Sequence, residues 1–304
     1  MLSYFVHMLM DLKLDSNLLG LIYHVDAALN PPLLGTHHHE EWELNVVVRG
    51  RVTYLVNDQR WTIGRRSLVW FFPNQKHQLL HRTADARYFV AAVKRSLLIG
   101  LDVNGPYADL VKETAPFFQT SVIGPGPFDL LCRHLQALTE DGPATSDLNR
   151  ELGFGYRSSF RYNHNDPERL NSGLRFLLMV AWRQHRLGIS TTSVGLHPAV
   201  QRTLNLLEDQ TEAVDLRRLA ADGGISQAYL SRLFHRQVGM PMHQYRATRR
   251  LQRFWQAWSH SPRPSMLDAA LTAGFGSYAQ FHRTFVLAHG SGPRQYMDQN
   301  IQNT

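Results

Sequence analysis

The stretch Gly224–Phe234 reads GISQAYLSRLF, and a related stretch, Ala273–Phe285, returns about fifty residues later as AGFGSYAQFHRTF. In each copy a glycine follows one apolar segment and a serine precedes the next, which is typical of a tight turn before a capped helix. Leucine or aromatic side chains then recur every three to four positions, with an arginine on the opposite side. We therefore predict two helix-turn-helix (HTH) units, which would place two helices in successive major grooves of one DNA duplex.

The sequence around the two copies supports this prediction. Leu219 and Ala220 precede the first turn, with Asp215 as the expected helix cap. Between the copies, Met242 to Trp258 carries apolar residues at helical spacing together with several arginines. A helix of about 17 residues is about 25 Å long. The two outer helices would then lie about one DNA turn, roughly 34 Å, apart on one side of the duplex.

Helical spacing divides the side chains of each HTH into an inner and an outer set. The inner set is predicted to be Tyr229, Leu230, Leu233 and Phe234 in the first HTH, and Phe281 and Phe285 in the second. The outer set is Gln227, Ala228, Ser231 and Arg232 in the first, and Tyr278, Ala279, Gln280, His282 and Arg283 in the second.

The stretch from Leu216 to Tyr296 resembles the double HTH domain of AraC/XylS-type transcriptional regulators. The residues that carry the resemblance are Leu219-Ala220, Ser226, Leu230–Phe234, Gly239, Tyr245, Gly274-Phe275, Phe281, Arg283, Phe285 and Pro293–Tyr296. Gly223 and Ala269 depart from the family pattern, which has larger apolar residues there, and they predict looser packing of the second HTH.

The resemblance implies that the outer residues of both HTH units face the major groove. Arg232 and Arg283 would then donate either to guanine edges or to phosphates. Arg246, Arg249 and Arg250 of the connecting helix are expected to contact phosphate or solvent.

The N-terminal part of the chain has a different pattern. Short runs of β-branched and aromatic residues lie between Trp42 and Val93 and alternate with turn residues, which predicts an antiparallel barrel or sandwich. Two amphipathic helices follow, at Phe128–Leu138 and Leu170–Leu187. They either mediate dimerisation, as in regulators of this type, or only cover the barrel. Residues 139–172 form a polar insertion without an assigned role, and residues 188–196 are predicted to be a flexible linker.

Histidines and a glutamate mark a candidate site in this part. His37, His39 and Glu43 have the same parity, so an extended chain points them to one face. With Gly50 and a later Pro73–His77 segment, they resemble the two motifs of the cupin barrel. The resemblance implies that His37, His39, Glu43 and His77 occupy the positions that bind a divalent metal in cupin enzymes.

Two alternatives remain for this site. Three imidazoles and a carboxylate suit Zn, Mn or Fe. The same residues also suit a small polar effector, such as a sugar or a small carboxylate; that effector-binding set is His37, His39, Glu43, Asn45, Tyr54 and His77.

Composition limits the class of protein. The chain has 304 residues, 43% of them hydrophobic, a net charge of +7 and a pI near 9.7. From His197 onward the chain contains twelve arginines and only seven acidic residues, and this positive charge favours a polyanionic partner. The single cysteine, Cys132, permits no internal disulfide and indicates a reducing compartment. No apolar run approaches the roughly 20 residues of a membrane span, and the N-terminus does not read as a signal peptide.

These observations predict an α+β protein of two domains. Residues 1–187 would form an antiparallel cupin-like β-barrel with trailing helices, 188–196 the linker, and 197–304 an all-α domain with two HTH units. We expect a cytoplasmic, dimeric transcriptional regulator that binds DNA and a small polar effector, and that contacts RNA polymerase if it is an activator. We expect no catalytic residue and no cofactor. The alternatives are a metal-dependent cupin enzyme fused to a DNA-binding domain, and a DNA-binding module without effector response.

Overall fold

The computed structural model describes residues 8–9, 14–27, 36–56, 59–102, 104–111, 119–143, 162–190, 194–208, 216–258 and 262–301. Asp215, the middle of the predicted insertion and the centre of the predicted linker lie outside this set. The chain divides into two compact units, with the main boundary between His197 and Pro198. Among the described residues, no helix is both long enough and apolar enough to cross a membrane.

The N-terminal unit is built on strands, which we number in chain order. They are β1 Met8–Leu9, β2 Gly20–Asp26, β3 His37–His38, β4 Trp42–Arg49, β5 Val52–Val56, β6 Gln59–Ile63, β7 Ser67–Phe71, β8 His77–Arg82, β9 Arg87–Val93, β10 Gln119–Val122, β11 Ile189–Ser190 and β12 Val194–Gly195. The two last strands lie within the stretch predicted to be a linker.

The strands form two sheets. Sheet one has the order β1-β3-β8-β5-β6-β12, and sheet two has the order β11-β10-β7-β4-β9-β2. The pairing is antiparallel except between β1 and β3. The predicted antiparallel β architecture is confirmed. Among the described strands the two sheets do not close into a barrel, because the edges of one sheet pair with no strand of the other. The architecture is an open sandwich, which satisfies the same alternating sequence pattern.

Gly50 lies where the chain passes from β4 in sheet two to β5 in sheet one. Its φ of 68° is in the left-handed region that favours glycine. A Cβ at this position would lie 2.4 Å from the Thr83 hydroxyl and 2.7 Å from the Cα of Ala86. The crossover therefore requires glycine both for its backbone conformation and for the close approach of the next turn.

Sheet two is buried on both faces. One face meets sheet one through a cluster that includes Val47, Tyr54, Phe71 and Val90. The other face packs against the helices α2, Pro125–Thr139, and α3, Pro167–Leu187, which follow a short helix α1, Ala108–Val111. Because both faces are covered, β7 reads SLVWF and is buried along its whole length. The predicted helices after the strands therefore form the third layer of this unit.

The C-terminal unit is helical throughout its described residues. Its helices are α4 Pro198–Glu208, α5 Leu216–Asp222, α6 Gln227–Val238, α7 Met242–Trp258, α8 Met266–Thr272, α9 Tyr278–His289 and α10 Pro293–Ile301. The pairs α5–α6 and α8–α9 are the two HTH units, and α7 connects them. The prediction of an all-α region with two HTH units is confirmed.

The two turns share one backbone pattern. The amide of Ile225 donates to the carbonyl of Ala220 over 2.9 Å, and that of Phe275 donates to Ala270 over 3.1 Å. The glycine before each donor has a positive φ, 66° at Gly224 and 86° at Gly274, which other residues adopt only with strain.

The helices after the turns begin with the serine caps that the sequence predicts. Ser226 Oγ accepts from the Tyr229 amide and Ser277 Oγ from the Gln280 amide, each over 3.2 Å.

The second HTH does not show the predicted looser packing. Ala269 and Ala270 are fully buried in a cluster with Phe254, Phe281 and Phe285. Small residues at this point let the aromatic rings approach α8 closely, so the volume lost on one helix is filled from two others.

Candidate functional site

The outward face of the first HTH is a set of exposed side chains on α6. Gln227, Ala228, Ser231 and Arg232 are all exposed, as predicted for the outer set. Leu230 is fully buried, but Tyr229 is 40% exposed, so its predicted inward packing is wrong. Position 229 lies about 100° around the helix from position 230, which turns it away from the core. Tyr229 therefore adds an aromatic ring to this outward surface.

The outward face of the second HTH is narrower than predicted. Ala279, His282 and Arg283 on α9 are exposed, whereas Tyr278 and Gln280 are only half-exposed. The Tyr278 ring lies 5.6 Å from that of Phe281. The Gln280 side-chain oxygen accepts a hydrogen bond of 2.9 Å from the Gly276 amide. Two of the predicted outer residues thus also have contacts within the turn and the core.

Two arginines of the connecting helix α7 contact other residues of the C-terminal unit. The Arg250 guanidinium lies 5.9 Å from the centroid of the Phe275 ring, within reach of a cation–π contact. Burial and the nearby Arg246 lower the pKa of Arg250 from its ordinary value. Arg253 Nη2 donates 2.7 Å to the carbonyl of Leu207 near the end of α4. Arg246 and Arg249 are half-buried. Phosphate contacts by Arg246, Arg249 and Arg250 stay predictions.

The polar cluster of the N-terminal unit gathers residues from both sheets. His37 on β3 pairs in register with His77 on β8, and their rings lie 4.3 Å apart. Glu43 on β4 comes from the other sheet, and its Oε2 lies 3.0 Å from His39 Nε2 and 3.8 Å from His77 Nε2. The three histidines are almost fully buried. The structure thus brings together the four residues that the sequence pattern singled out.

Asn45 and Tyr54 complete the cluster. Asn45 Nδ2 donates to Glu43 Oε1 over 2.8 Å and to the Tyr54 hydroxyl over 3.0 Å. This bridge joins β4 in sheet two to β5 in sheet one. Phe71, which the sequence analysis missed, stacks on the His77 ring at 4.1 Å with an interplanar angle of 17°. The strand alternation could have indicated this residue, because Phe71 and Val69 are two positions apart on β7 and therefore point to the same face, inside the sandwich.

The hydrogen bonds assign different protonation states to His39 and His77. Both nitrogens of His39 face oxygens, Nδ1 the Glu41 carbonyl at 3.0 Å and Nε2 Glu43 at 3.0 Å. Two acceptors require two N–H groups, which is the imidazolium form. Burial by itself would lower the pKa of His39, but the hydrogen bond and charge of Glu43 outweigh it and raise that pKa.

His77 is neutral. Its Nδ1 lies 2.8 Å from the Gln75 carbonyl, so Nδ1 carries the proton and Nε2 keeps a lone pair. Burial, aided by the neighbouring His37, lowers the pKa of His77 to about 3. Burial by itself would raise the pKa of Glu43, but its hydrogen bond with His39 and the nearby His77 lower it to about 2. The cluster therefore places a carboxylate oxygen of Glu43 3.8 Å from an imidazole nitrogen of His77 that keeps its lone pair.

The cluster is chemically suited to a ligand. One nitrogen from each of His37, His39 and His77 lies within 4.8 Å of the others. His77 Nε2 is buried and makes no hydrogen bond within the described residues. Backbone carbonyls hold the Nδ1 atoms of His39 and His77, and such contacts orient metal-binding histidines through Nε2. The same donors and acceptors can bind hydroxyl or carboxylate groups of an organic molecule.

Both parts of the molecule match known sequence families. Residues 25–98 match the family described as "AraC-like ligand binding domain", and residues 219–299 match that described as "Helix-turn-helix domain". The first match contains the whole polar cluster, and the second contains α6 to α9.

Similar proteins span most of the chain. The melibiose operon regulatory protein of Escherichia coli K12 is 24% identical over 271 residues, which cover 88% of this chain and 84% of that protein. Among solved structures, ToxT from Vibrio cholerae is 12% identical, with a TM-score of 0.30 and coverage of 91% and 96%. The transcriptional activator CuxR is 15% identical, with a TM-score of 0.31 and coverage of 77% and 73%.

The two family matches fall on the two units of the fold, and the similarity to the regulator from Escherichia coli extends over both units. An N-terminal ligand-binding sandwich precedes a C-terminal pair of HTH units, in the order that the family matches require. This chain belongs to the AraC family of transcriptional regulators.

Proposed function

We propose that a small ligand bound at the His37–Glu43–His77 cluster controls how the two HTH units engage one specific DNA site. The observation that carries the proposal is the pairing of two elements in one chain. One is a buried polar cluster within an apolar sandwich, and the other is a pair of capped helices that expose Arg232 and Arg283. Buried polar groups cost stability unless they are paired, so such a cluster is more often functional than structural.

The DNA partner follows from the C-terminal unit. Arg232 and Arg283 stand at equivalent positions of α6 and α9 and are both exposed. Arginine can donate two hydrogen bonds to the guanine edge in the major groove. Selection of bound fragments from a random DNA pool tests this. We expect two half-sites separated by about one helical turn, and recovery of unrelated sequences would contradict the proposal.

The first candidate ligand is a small polar metabolite. Glu43, Asn45 and Tyr54 offer acceptors and donors at the boundary between the sheets, as sugars or small carboxylates require. One relative is named for the melibiose operon, which supports a sugar. Thermal-shift screening of the full chain tests it. A ligand at about 100 times its Kd stabilises a protein by roughly 2.7 kcal/mol, and Glu43→Gln should abolish the shift. An unchanged melting temperature with every metabolite would contradict this candidate.

The second candidate ligand is a divalent metal. His77 Nε2 is a buried imidazole nitrogen with a lone pair that no hydrogen bond uses within the described residues, and Glu43 lies beside it. His37, His39, His77 and Glu43 would hold the ion, which would supply a fixed positive charge between the sheets. Tetrahedral zinc has bonds of about 2.1 Å, so ligand atoms up to 4.8 Å apart must draw together on binding.

Metal analysis of the dialysed protein separates the two candidates. Stoichiometric zinc, iron or manganese that is lost in His37→Ala would support the metal. His134→Ala, a histidine on α2 outside the cluster, is the control and should retain the metal. If the protein contains no metal after incubation with each ion, the metal candidate is rejected and the polar metabolite is the remaining candidate. We propose no enzymatic activity and no further cofactor for this chain, and a cytoplasmic location beside its DNA partner.

Dimerisation is part of the proposal. Leu130 on α2 and Phe176 on α3 are 41% and 51% exposed on the helical layer. Paired copies would present four HTH units and could reposition them when the ligand binds. Light scattering of the wild type and Phe176→Glu tests the idea, with a dimer expected for the first and a monomer for the second. If the protein activates transcription, RNA polymerase is a further partner.

A further inference from the structure

A groove on the C-terminal unit has no assigned role. Its volume is about 880 Å³, and it lies between the starts of α8 and α10 beside one flank of α9. Its walls include Met266, Leu267, Tyr278, His282, Pro293 and Arg294.

The groove continues the outward surface of the second HTH. Tyr278 and His282 lie one turn apart on α9 and form one of its walls. Ala279 and Arg283, each one position further, are exposed on the adjoining face. If α9 lies in the DNA major groove, the sugar-phosphate backbone at the edge of the major groove must pass along one flank of α9. The cavity therefore lies where that backbone would run.

The chemistry of the groove fits a sugar-phosphate chain. Arg294 is an exposed cation, His282 and Tyr278 supply polar atoms, and none of the described residues that line the groove is acidic. Leu267, which is exposed, and Met266, which is half-buried, offer apolar surface for deoxyribose carbons. Two acidic residues lie nearby on α8 and α10. Asp268 is held by a 2.6 Å hydrogen bond from the Ser265 hydroxyl at the start of α8, and Asp298 stands one turn beyond Arg294.

Gly292 leaves room for the His282 ring at the groove. A Cβ at residue 292 would meet His282 Nε2 at 3.1 Å, which is closer than most real contacts of this kind. A larger residue here would push the ring away from the wall.

We propose that this groove binds the DNA backbone next to α9, with Arg294 contacting a phosphate and His282 and Tyr278 lining its path. This inference rests on the proposed DNA-binding function and adds a positioning contact that carries no base information. In the first HTH the residues equivalent to Tyr278 and His282 are Gln227 and Ser231, so the contact belongs to the second HTH.

Binding titrations over a range of salt concentrations test the proposal. Each phosphate contact contributes about 0.9 to the slope of log affinity against log salt on duplex DNA. We expect Arg294→Ala to reduce that slope by about 1 and to weaken binding equally on all sequences, with base preference unchanged. Arg294→Lys should retain the slope. The control Arg183→Ala removes an exposed arginine of α3 and should change neither quantity.

Phosphate ethylation interference should detect one backbone position that matters for the wild type and not for Arg294→Ala, while circular dichroism shows the same fold. If the wild type binds a preferred site and Arg294→Ala has the same affinity and slope, the groove proposal is overturned and the DNA-binding function stands. Unchanged DNA binding with reduced promoter output would assign the groove to a protein partner, which also overturns it. A wild type without site preference would instead contradict the proposed function.

Discussion

The two HTH units of this protein share a backbone but differ by one residue in the turn. Corresponding residues before the turn are 50 apart, such as Ala220 and Ala270, whereas the caps Ser226 and Ser277 are 51 apart. The additional residue is Gly276, and the side chain of Gln280 accepts its amide hydrogen. The residue of the first HTH that is equivalent to Gln280 is Tyr229, whose side chain is 40% exposed. One inserted residue has therefore changed an outward position into a turn brace.

The surroundings of the two units differ as well. In the first unit, Leu230 and Leu233 of α6 are buried, and the Phe234 ring of α6 lies 5.7 Å from the Tyr245 ring of α7. In the second unit, Phe281 and Phe285 of α9 pack in an aromatic cluster with Phe254 of α7. A short set of glycine, serine and apolar residues therefore fixes the turn, while the packing around it is free to vary.

The largest expected effect comes from removing the central anchor of each unit. Phe281 and Leu230 are equivalent and both fully buried. Phe281→Ala should cost about 3–5 kcal/mol and Leu230→Ala about 2–5 kcal/mol, because each leaves a cavity. Because Phe281 touches Phe254, Phe275 and Phe285, we expect its loss to open α9 first. Amide exchange of α6 and α9 measures this. Equal exchange of both helices in both variants would show that the units unfold together.

DNA binding gives the next effect. Arg232→Ala and Arg283→Ala should each cost about 1–3 kcal/mol on the selected site if the arginine pairs with guanine. Each should relax base preference in one half-site only. Uniform weakening on all sequences would assign that arginine to phosphate instead. A gel-shift series with single-base variants of the site distinguishes the two results, with Arg183→Ala as the control.

A smaller effect on the stability of the second HTH is expected when the pH is lowered. His289 lies 4.2 Å from Phe285 and 5.1 Å from Tyr296, and its equivalent in the first HTH is Val238. Burial lowers the pKa of His289 to about 4. The folded state therefore binds this proton less readily than the unfolded state, so the stability that it contributes is full above pH 6.5 and is lost as the pH falls towards 4.

The variant His289→Val should remove this dependence. His185 in the N-terminal unit also has a pKa lowered to about 4, so global melting would mix the two residues. Amide exchange of α9 between pH 6.5 and 4.5 resolves them. A wild type and a valine variant with the same pH dependence in α9 would contradict the assignment.

The smallest expected effect tests the inserted residue itself. Gln280→Ala removes the acceptor of the Gly276 amide in a solvent-accessible turn, and we expect a loss of about 0.5–1 kcal/mol. Tyr229→Ala at the equivalent position should leave stability nearly unchanged, because its ring is largely outside the core. Urea denaturation of both variants checks the difference. Equal losses would mean that Gln280 does not brace the turn.

Some of these features follow from residues near each other in sequence. The glycine–serine pattern predicts both HTH turns, because a positive φ and a helix cap depend on the local chain alone. The parity of His37, His39 and Glu43 predicts one shared face, and the structure brings them to His77. The strand pattern predicts antiparallel sheets but allows a barrel and a sandwich equally, since both bury alternate residues.

Local patterns in the chain thus predict the two turns, their caps, the buried anchors and the shared face of His37, His39 and Glu43, because hydrogen bonds within a few residues and the period of each element specify them. His77 joined this set through the cupin resemblance. Contacts between residues far apart in the chain settle that the two sheets stay open and that Arg250 lies over Phe275. These depend on which distant surfaces meet. Packing free energy is summed over many contacts between residues far apart in the chain, so no short pattern encodes it.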